Sequence, residues 1–141
     1  MRRKRSLLLD TAYIQALLSH RDAYHDSALR LFPEIASAHE VWITEAVLIE
    51  SANALSRINR QGIAEFIRAA YEEPNIRIVP VDSALLRRGL ELYNARADKA
   101  WSLTDCISFL VMEDEGLREA VTSDHHFEQA GFRALMIDSP N

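Results

Sequence analysis

Cysteine is nearly absent from this chain. Cys106 stands alone among 141 residues, so no bridge can close within the chain, and an intracellular address is expected. Glycine and proline are scarce at four each, and no low-complexity run or internal repeat is visible. The sequence holds no GxSxG elbow, no Walker loop and no GxGxxG, which removes the main support for serine hydrolases, P-loop NTPases and dinucleotide enzymes. No apolar run approaches the roughly 20 residues of a membrane span, so a soluble, cytoplasmic protein without a membrane partner is expected. Arg2-Arg3-Lys4-Arg5 opens like a secretory signal, but Asp10 cuts the apolar run off after Leu7-Leu8-Leu9. Positive charge is also short: 16 Lys and Arg against 21 Asp and Glu give a net charge of −5. That balance argues against a bulk phosphate-binding surface, so any nucleic-acid contact must be local. The basic cluster at the start reads as a solvated lead-in to the first strand.

What is present is ordinary globular composition, 48% hydrophobic and 26% charged, in a length that suits one domain spanning 1–141 with a core of its own. Short apolar strands alternate with helical patterns. Arg5 to Leu9 reads as a strand buried on both faces, after which Asp10-Thr11 caps a helix from Ala12 to Leu18. A helical pattern from Asp22 to Ala36 carries Ala28, Leu29, Phe32 and Ile35 at helical spacing, with Pro33 inside it. Val41 to Ile43 is a second strand, and Thr44 caps a helix whose predicted buried stripe is Val47, Leu48, Ala54, Leu55 and Ile58. Gly62 is expected to break that pattern before a helix from Ile63 to Tyr71, which Pro74 ends, and the two helices should form a hairpin. Ile76 to Val81 is the next strand, Asp82-Ser83 the next cap, and Leu85, Leu86, Leu90 and Tyr93 the stripe of the helix that follows. Ser102 and Asp105 read as an acidic capping box for a helix that Gly116 closes. Glu119 to Thr122 then gives a strand, Ser123-Asp124 a cap, Phe127 to Ala130 a short helix stopped by Gly131, and Ala134 to Ile137 a last strand. The alternation predicts a three-layer α/β/α sandwich, with a mostly parallel sheet of four to five strands and helices on both faces.

On such a sheet ligands gather at the carboxyl ends of the strands. Asp10 and Asp124 fall there, while Asp105 and Glu50 reach in from helices. Each has a plain explanation: Asp10, Asp105 and Asp124 are good helix caps, and Glu50 could form a surface ion pair. Glu50 nevertheless sits between Ile49 and Ala52, where an unpaired carboxylate is costly to bury. Glu45 lies five positions earlier, about 140° away around the axis, and the helix dipole accounts for it. Four like charges in one crevice repel unless a cation joins them. Carboxylates without Cys or His spacing suit Mg²⁺ or Mn²⁺ rather than Zn²⁺. His125 and His126 lack the i, i+4 spacing of a helical zinc pair and read as surface or hydrogen-bonding histidines. Glu113, Asp114 and Glu115 read as a solvated charge run.

The segments LLLDTAYI, WITEAVLIESANAL, DKAWSLTDCISFLVM and VTSDHHFEQAGF, in this order and nearly end to end, resemble the PIN-domain proteins, in particular the VapC-type toxin ribonucleases. That resemblance implies that Asp10, Glu50, Asp105 and Asp124 hold Mg²⁺ or Mn²⁺ and carry catalysis. It makes Thr11 and Thr104 ligand-orienting hydroxyls and puts Thr122 and Ser123 beside the final acid. Relatives often carry a further Asp two places after that acid, a place taken here by His126, so the resemblance does not fix whether one ion binds or two. The implied reaction is hydrolysis of single-stranded RNA by water, leaving a 3′-hydroxyl and a 5′-phosphate. Arg21, Arg96, Lys99 and His126 are the candidate substrate contacts. Implied partners are an RNA substrate, a second copy of the chain in a homodimer, and a cognate antitoxin. Two rivals remain at this stage: a non-catalytic PIN-like module that binds RNA or protein, and a phosphoacceptor receiver domain. The receiver reading wants an acidic pair after the first strand and a Lys near the last one. The chain offers a single Asp10 and no Lys after Lys99.

Overall fold

Leu8 sits at 0% exposure in the middle of the first strand, with helices covering it on one face of the sheet while Leu7 and Leu9 are covered on the other. A strand buried on both faces can afford no polar side chain, which is why three leucines run together here. The computed structural model describes residues 4–138. Arg2 and Arg3 of the basic lead-in lie outside them.

The strands are β1 (Ser6–Leu9), β2 (Glu40–Thr44), β3 (Ile76–Val79), β4 (Glu119–Val121) and β5 (Arg133–Ala134). They form one sheet in the order β3-β2-β1-β4-β5, with every pairing parallel. One face carries α1 (Thr11–Leu18), α2 (His25–Ala36), α3 (Glu45–Leu55) and α4 (Arg60–Glu72), packed on Leu7, Leu9, Val41 and Ile43. The other carries α5 (Ser83–Ala95), α6 (Leu103–Glu115) and α7 (His125–Gln129), packed on Leu8 and Ala120. Strand order changes direction around β1, so the carboxyl ends of β1 and β4 form the crevice that an open parallel sheet offers a ligand.

Local chemistry explains most element limits. Ser102 accepts from the Asp105 N–H at 3.0 Å while the Asp105 carboxylate accepts from the Ser102 N–H at 3.1 Å, a complete capping box at the head of α6. Gly116 ends the same helix at φ 69°, a left-handed turn that favours glycine. The α2 helix runs through Pro33, which falls on the exposed side, where water can satisfy the Leu29 carbonyl it leaves without a partner.

Several expectations need correction. The α2 helix begins at His25 rather than Asp22, because the Asp22 carboxylate accepts from the Tyr24 N–H at 2.8 Å and holds a turn instead. Its buried face is Ser27, Ala28, Leu31 and Ile35, leaving Leu29 and Phe32 about half exposed. On α3 the stripe is Val47, Leu48, Ser51 and Leu55; Ala54 and Ile58 face outward. Gly62 does not precede α4 but lies in its first turn, since Asn59 caps that helix by accepting from the Gly62 N–H. Leu86, Leu90 and Tyr93 of α5 are exposed, and Leu85 and Gly89 form its buried face. The last strand is only Arg133–Ala134, and Leu135–Asp138 is a further short helix, α8.

Candidate metal centre

The ladder fixes the centre. Leu9 pairs with Val121 across β1 and β4, so Asp10 and Thr122 come next, side by side, at the two strand ends. Thr122 Oγ1 donates to Asp10 Oδ2 at 2.7 Å and accepts from the Asp124 N–H at 3.0 Å. One buried hydroxyl therefore fixes both the Asp10 carboxylate and the backbone that carries Asp124. Although Asp10 occupies the N-cap position of α1, its side chain makes no capping bond. The carboxylate is turned to Thr122 instead.

Asp105 arrives from α6 on the second face of the sheet, and His126 from α7. His126 Nδ1 lies 3.0 Å from Asp105 Oδ2 and 3.2 Å from Asp124 Oδ1. Carboxylates only accept, so the imidazole proton is assigned to Nδ1 and the ring bridges the two acids. Ligating atoms of Asp105, Asp124 and His126 fall within 4.8 Å of one another, a spread that suits a shared cation.

Charge in this crevice is poorly compensated. Burial pushes the Asp10 carboxyl up from 3.8 to about 7; the Thr122 hydroxyl opposes that rise, the neighbouring Asp105 charge adds to it, the Thr11 backbone N–H opposes it, and Asp124 adds a little more. Asp105 is raised too, by burial first, against the Ser102 N–H and His126, which favour its charged form. Among the described residues no arginine or lysine is a partner of these acids. Oxygen-rich donors that repel one another fit a hard divalent ion, whose charge would favour the ionised form of both groups. The one imidazole among them is compatible with Mn²⁺ as well as Mg²⁺.

The remaining predicted residues are placed as follows. Glu50 is half-buried on α3 and has no hydrogen bond or ion pair among the described residues; it stands outside the group formed by Asp105, Asp124 and His126. Its neighbour Ile49 is 63% exposed, so the apolar surroundings inferred for Glu50 are only partial. Glu45 faces elsewhere, accepting from the Tyr71 hydroxyl at 2.7 Å and the Val81 N–H at 3.2 Å. Thr11 Oγ1 is buried without a hydrogen-bond partner. Thr104 and Ser123 are half-buried with no side-chain bond among the described residues. Arg96 already pairs with Asp98 at 3.0 Å and lies over the Trp101 ring, 5.0 Å from its centroid. Lys99 is half-buried and Arg21 exposed. His125 is a surface residue whose Nδ1 is 3.1 Å from Glu128. Thr122, which sequence reasoning set only beside the final acid, is the hydroxyl bonded to Asp10 and to the Asp124 N–H; its signal was the β1–β4 register, which pairing alone supplies.

The sequence profile described as the PIN domain matches residues 7–133. The chain belongs to the PIN domain family. Within it, the chain is 30% identical over 127 residues to the 23S rRNA-specific endonuclease VapC20 of Mycobacterium tuberculosis, covering 89% of this chain and 95% of the relative. The crystal structure of that protein, a sarcin-ricin loop cleaving toxin, superposes with a TM-score of 0.80 at 27% identity, over 89% of this chain and 95% of the other. Two more distant structures share the fold. VapBC2 of Rickettsia felis, bound to a promoter DNA fragment, has a TM-score of 0.61 at 14% identity, covering 92% of this chain and 97% of that one. FitAcB of Neisseria gonorrhoeae has 0.58 at 17%, covering 91% and 94%. This PIN domain is a VapC-type endoribonuclease, a phosphodiester hydrolase. The receiver reading thereby loses its ground. Nucleases of this family are typically metal-dependent, in keeping with the acidic group. Among the described residues no helix is long and apolar enough to cross a membrane.

Proposed function

We propose that this PIN domain is the toxin of a toxin-antitoxin pair and hydrolyses single-stranded RNA with Mg²⁺ or Mn²⁺ held by Asp10, Asp105 and Asp124, with Glu50 joining from α3. The observation that carries the reading is the convergence of three buried or half-buried acids that no arginine or lysine among the described residues neutralises. Asp10, Asp105 and Asp124 would hold a divalent ion that would supply Lewis acidity toward the scissile phosphate and lower the pKa of the attacking water. The chain's own residues do the positioning. Thr122 fixes Asp10 and the Asp124 backbone through one hydroxyl. The capping box fixes Asp105 at the head of α6. His126, donating from Nδ1 to both acids, leaves Nε2 as the ring atom able to accept a proton or a hydrogen bond. Thr11, Thr104 and Ser123 are proposed to orient ligands, and Arg21, Arg96 and Lys99 to meet the RNA.

Partners follow from the same reading: an RNA substrate, a cognate antitoxin that covers the acids, and a second copy of the chain. A ribosomal RNA, the substrate class of VapC20, is the first to assay, and the cytoplasm is where the toxin acts. The test replaces Asp10 or Asp105 with Asn and follows RNA cleavage in Mn²⁺. Loss of cleavage is expected, and activity equal to the parent's would remove the mechanism. A non-catalytic RNA- or protein-binding module is the second reading, favoured by the His126 N–H that already bridges Asp105 and Asp124. Chelator separates the two: it abolishes turnover by an enzyme and leaves the ligand binding of such a module intact.

A further inference from the structure

Half of the described arginines are engaged by another side chain. Arg5, Arg77, Arg88, Arg96 and Arg133 each have a carboxylate partner, and Arg30 bonds Ser27. Arg21, Arg57 and Arg60 are exposed and make no ion pair or side-chain hydrogen bond among the described residues. They are also brought to one place. Arg21 follows the end of α1, whereas Arg57 and Arg60 flank the turn between α3 and α4. A single amide joins the two turns: Asn59 Nδ2 donates to the Leu18 carbonyl at 3.0 Å, while Asn59 Oδ1 accepts from the Gly62 N–H at 3.0 Å. Gly62 is required for this, because a Cβ there would come within 2.7 Å of the Asn59 side-chain carbon. The acid nearest to Arg21 in sequence, Asp22, is turned onto the Tyr24 N–H. Ile58, 63% exposed, offers an apolar surface between the arginines.

Both helices that carry these turns start beside the acids. Two steps beyond the last rung of the β1–β2 ladder, in which Leu8 pairs with Trp42, Asp10 comes level with Thr44, so α1 and α3 leave from neighbouring points. With eight and eleven residues, they extend about 12 and 16 Å at 1.5 Å per residue. An extended RNA strand covers that distance in a few nucleotides. We propose that the joined tips of the α1–α2 and α3–α4 hairpins, carrying Arg21, Arg57 and Arg60, form a phosphate-binding platform for the RNA strand leaving the acidic centre. The platform rests on the nuclease reading for its substrate. It also resolves a difficulty in that reading, since a chain of net charge −5 with acids at its centre needs localised positive charge to hold a polyanion.

The test is binding of a labelled single-stranded RNA, followed by anisotropy over a range of salt, in an Asp10→Asn background. Substituting Arg21, Arg57 and Arg60 together with Gln should weaken binding tenfold or more at low salt. It should also reduce the slope of log K against log salt by about 2, since each arginine withdrawn from a single-strand phosphate removes roughly 0.7. The control changes Arg87 and Arg118, exposed arginines elsewhere on the molecule without carboxylate partners among the described residues, to Gln and should leave the slope unchanged. An unchanged slope in the triple variant, or an equal loss in the control, overturns the platform. With Asp10 restored and Mn²⁺ present, the triple variant should lose kcat/KM on the same RNA and retain kcat. RNA cut equally well by both proteins overturns the platform and leaves the nuclease standing. RNA held through the arginines but cut by neither protein overturns the nuclease and leaves the platform.

Discussion

Carboxylates stand at both ends of the central strands, and the two ends treat them differently. At the amino end, Glu119 opens β4 between two guanidiniums, 3.0 Å from Arg5 and 3.4 Å from Arg133. At the carboxyl end, Asp10, Asp105 and Asp124 meet a hydroxyl, an imidazole and backbone N–H groups. Only the first arrangement contains its own counter-charge. Burial lifts Asp10 to about 7 in the second, the mark of a group whose ionised form the chain has not compensated. The difference separates carboxylates that tie strands together from those arranged to share a cation.

The largest effect that can break this contrast is expected from Asp10→Asn. Cleavage in Mn²⁺ should fall by at least about 100-fold, because the change removes a ligand and a charge at the reacting centre. The same variant tests the electrostatic claim in chelator. The folded-state pKa of Asp10 lies above its ordinary 3.8, so between about 4 and 7 the folded chain binds more protons than the unfolded one. Stability therefore falls as pH rises through that window. Asn has no charge to bury, so the variant should melt above the parent at pH 8, by at most about 4 kcal/mol, with the gap closing toward pH 4. Melting curves with the same pH dependence for both proteins would show that Asp10 is no more strained than Glu119.

Adding the ion is the next way to sharpen the comparison. Manganese should raise the melting temperature of the parent, by the equivalent of about 2.7 kcal/mol at a hundred times its Kd. It should do so much less for Asp124→Asn. The shift should also grow between pH 6 and pH 8, since the proton on Asp10, whose carboxyl is raised to about 7, competes with the cation. A calorimetric titration that detects neither binding nor proton release in the parent would contradict the cation site.

Smaller but more local is Thr122→Val. It leaves Asp10 without its hydroxyl donor and the Asp124 N–H without its acceptor, costing about 1–3 kcal/mol of stability. Loss of an outer group that orients ligands should lower activity or metal affinity about 10–100-fold. Thr11→Val makes the contrast: its hydroxyl is buried without a partner, so the parent should lose no stability by it. Cleavage should fall less for Thr11→Val than for Thr122→Val, because Thr11 holds no acid in place; equal losses would show that the Thr122 bonds are not what fixes the acids.

That pair also shows what a sequence can and cannot disclose. Asp10, Asp105 and Asp124 were legible because each follows a strand or opens a helix, and parallel topology sends those junctions to one edge. The Ser102–Asp105 box and Gly116 were legible because caps are local chemistry. Thr122 and Ser123 were both set beside the final acid, but the Thr122 bond to Asp10 was not legible, because it depends on which residue of β4 stands level with Asp10, and only strand pairing fixes register. The stripes of α2, α3 and α5 were misjudged for a related reason. Periodicity shows which residues share a helix face, but Leu29, Phe32, Ile58, Leu86 and Leu90 lie toward margins that no other element covers. Leu135 to Asp138 turned helical although its composition suits a strand, since β4 pairs with only two residues of β5.

The smallest effect belongs to the amino end. Glu119→Gln removes the charge between Arg5 and Arg133, yet the amide oxygen can still accept from Arg5. The pairs are partly exposed, with side-chain exposures of 36% for Arg5, 23% for Glu119 and 60% for Arg133, so solvent already screens most of the attraction and the cost should stay within about 1 kcal/mol. Cleavage and the response to Mn²⁺ should not change, because Glu119 acts on β1, β4 and β5 at the ends remote from the acids. A drop in cleavage without a matching drop in melting temperature would mean that charge at one end of the strands is felt at the other. The division between a self-neutralised end and a cation-dependent end would then fail, and the raised pKa of Asp10 would have to be read as a property of the whole sheet.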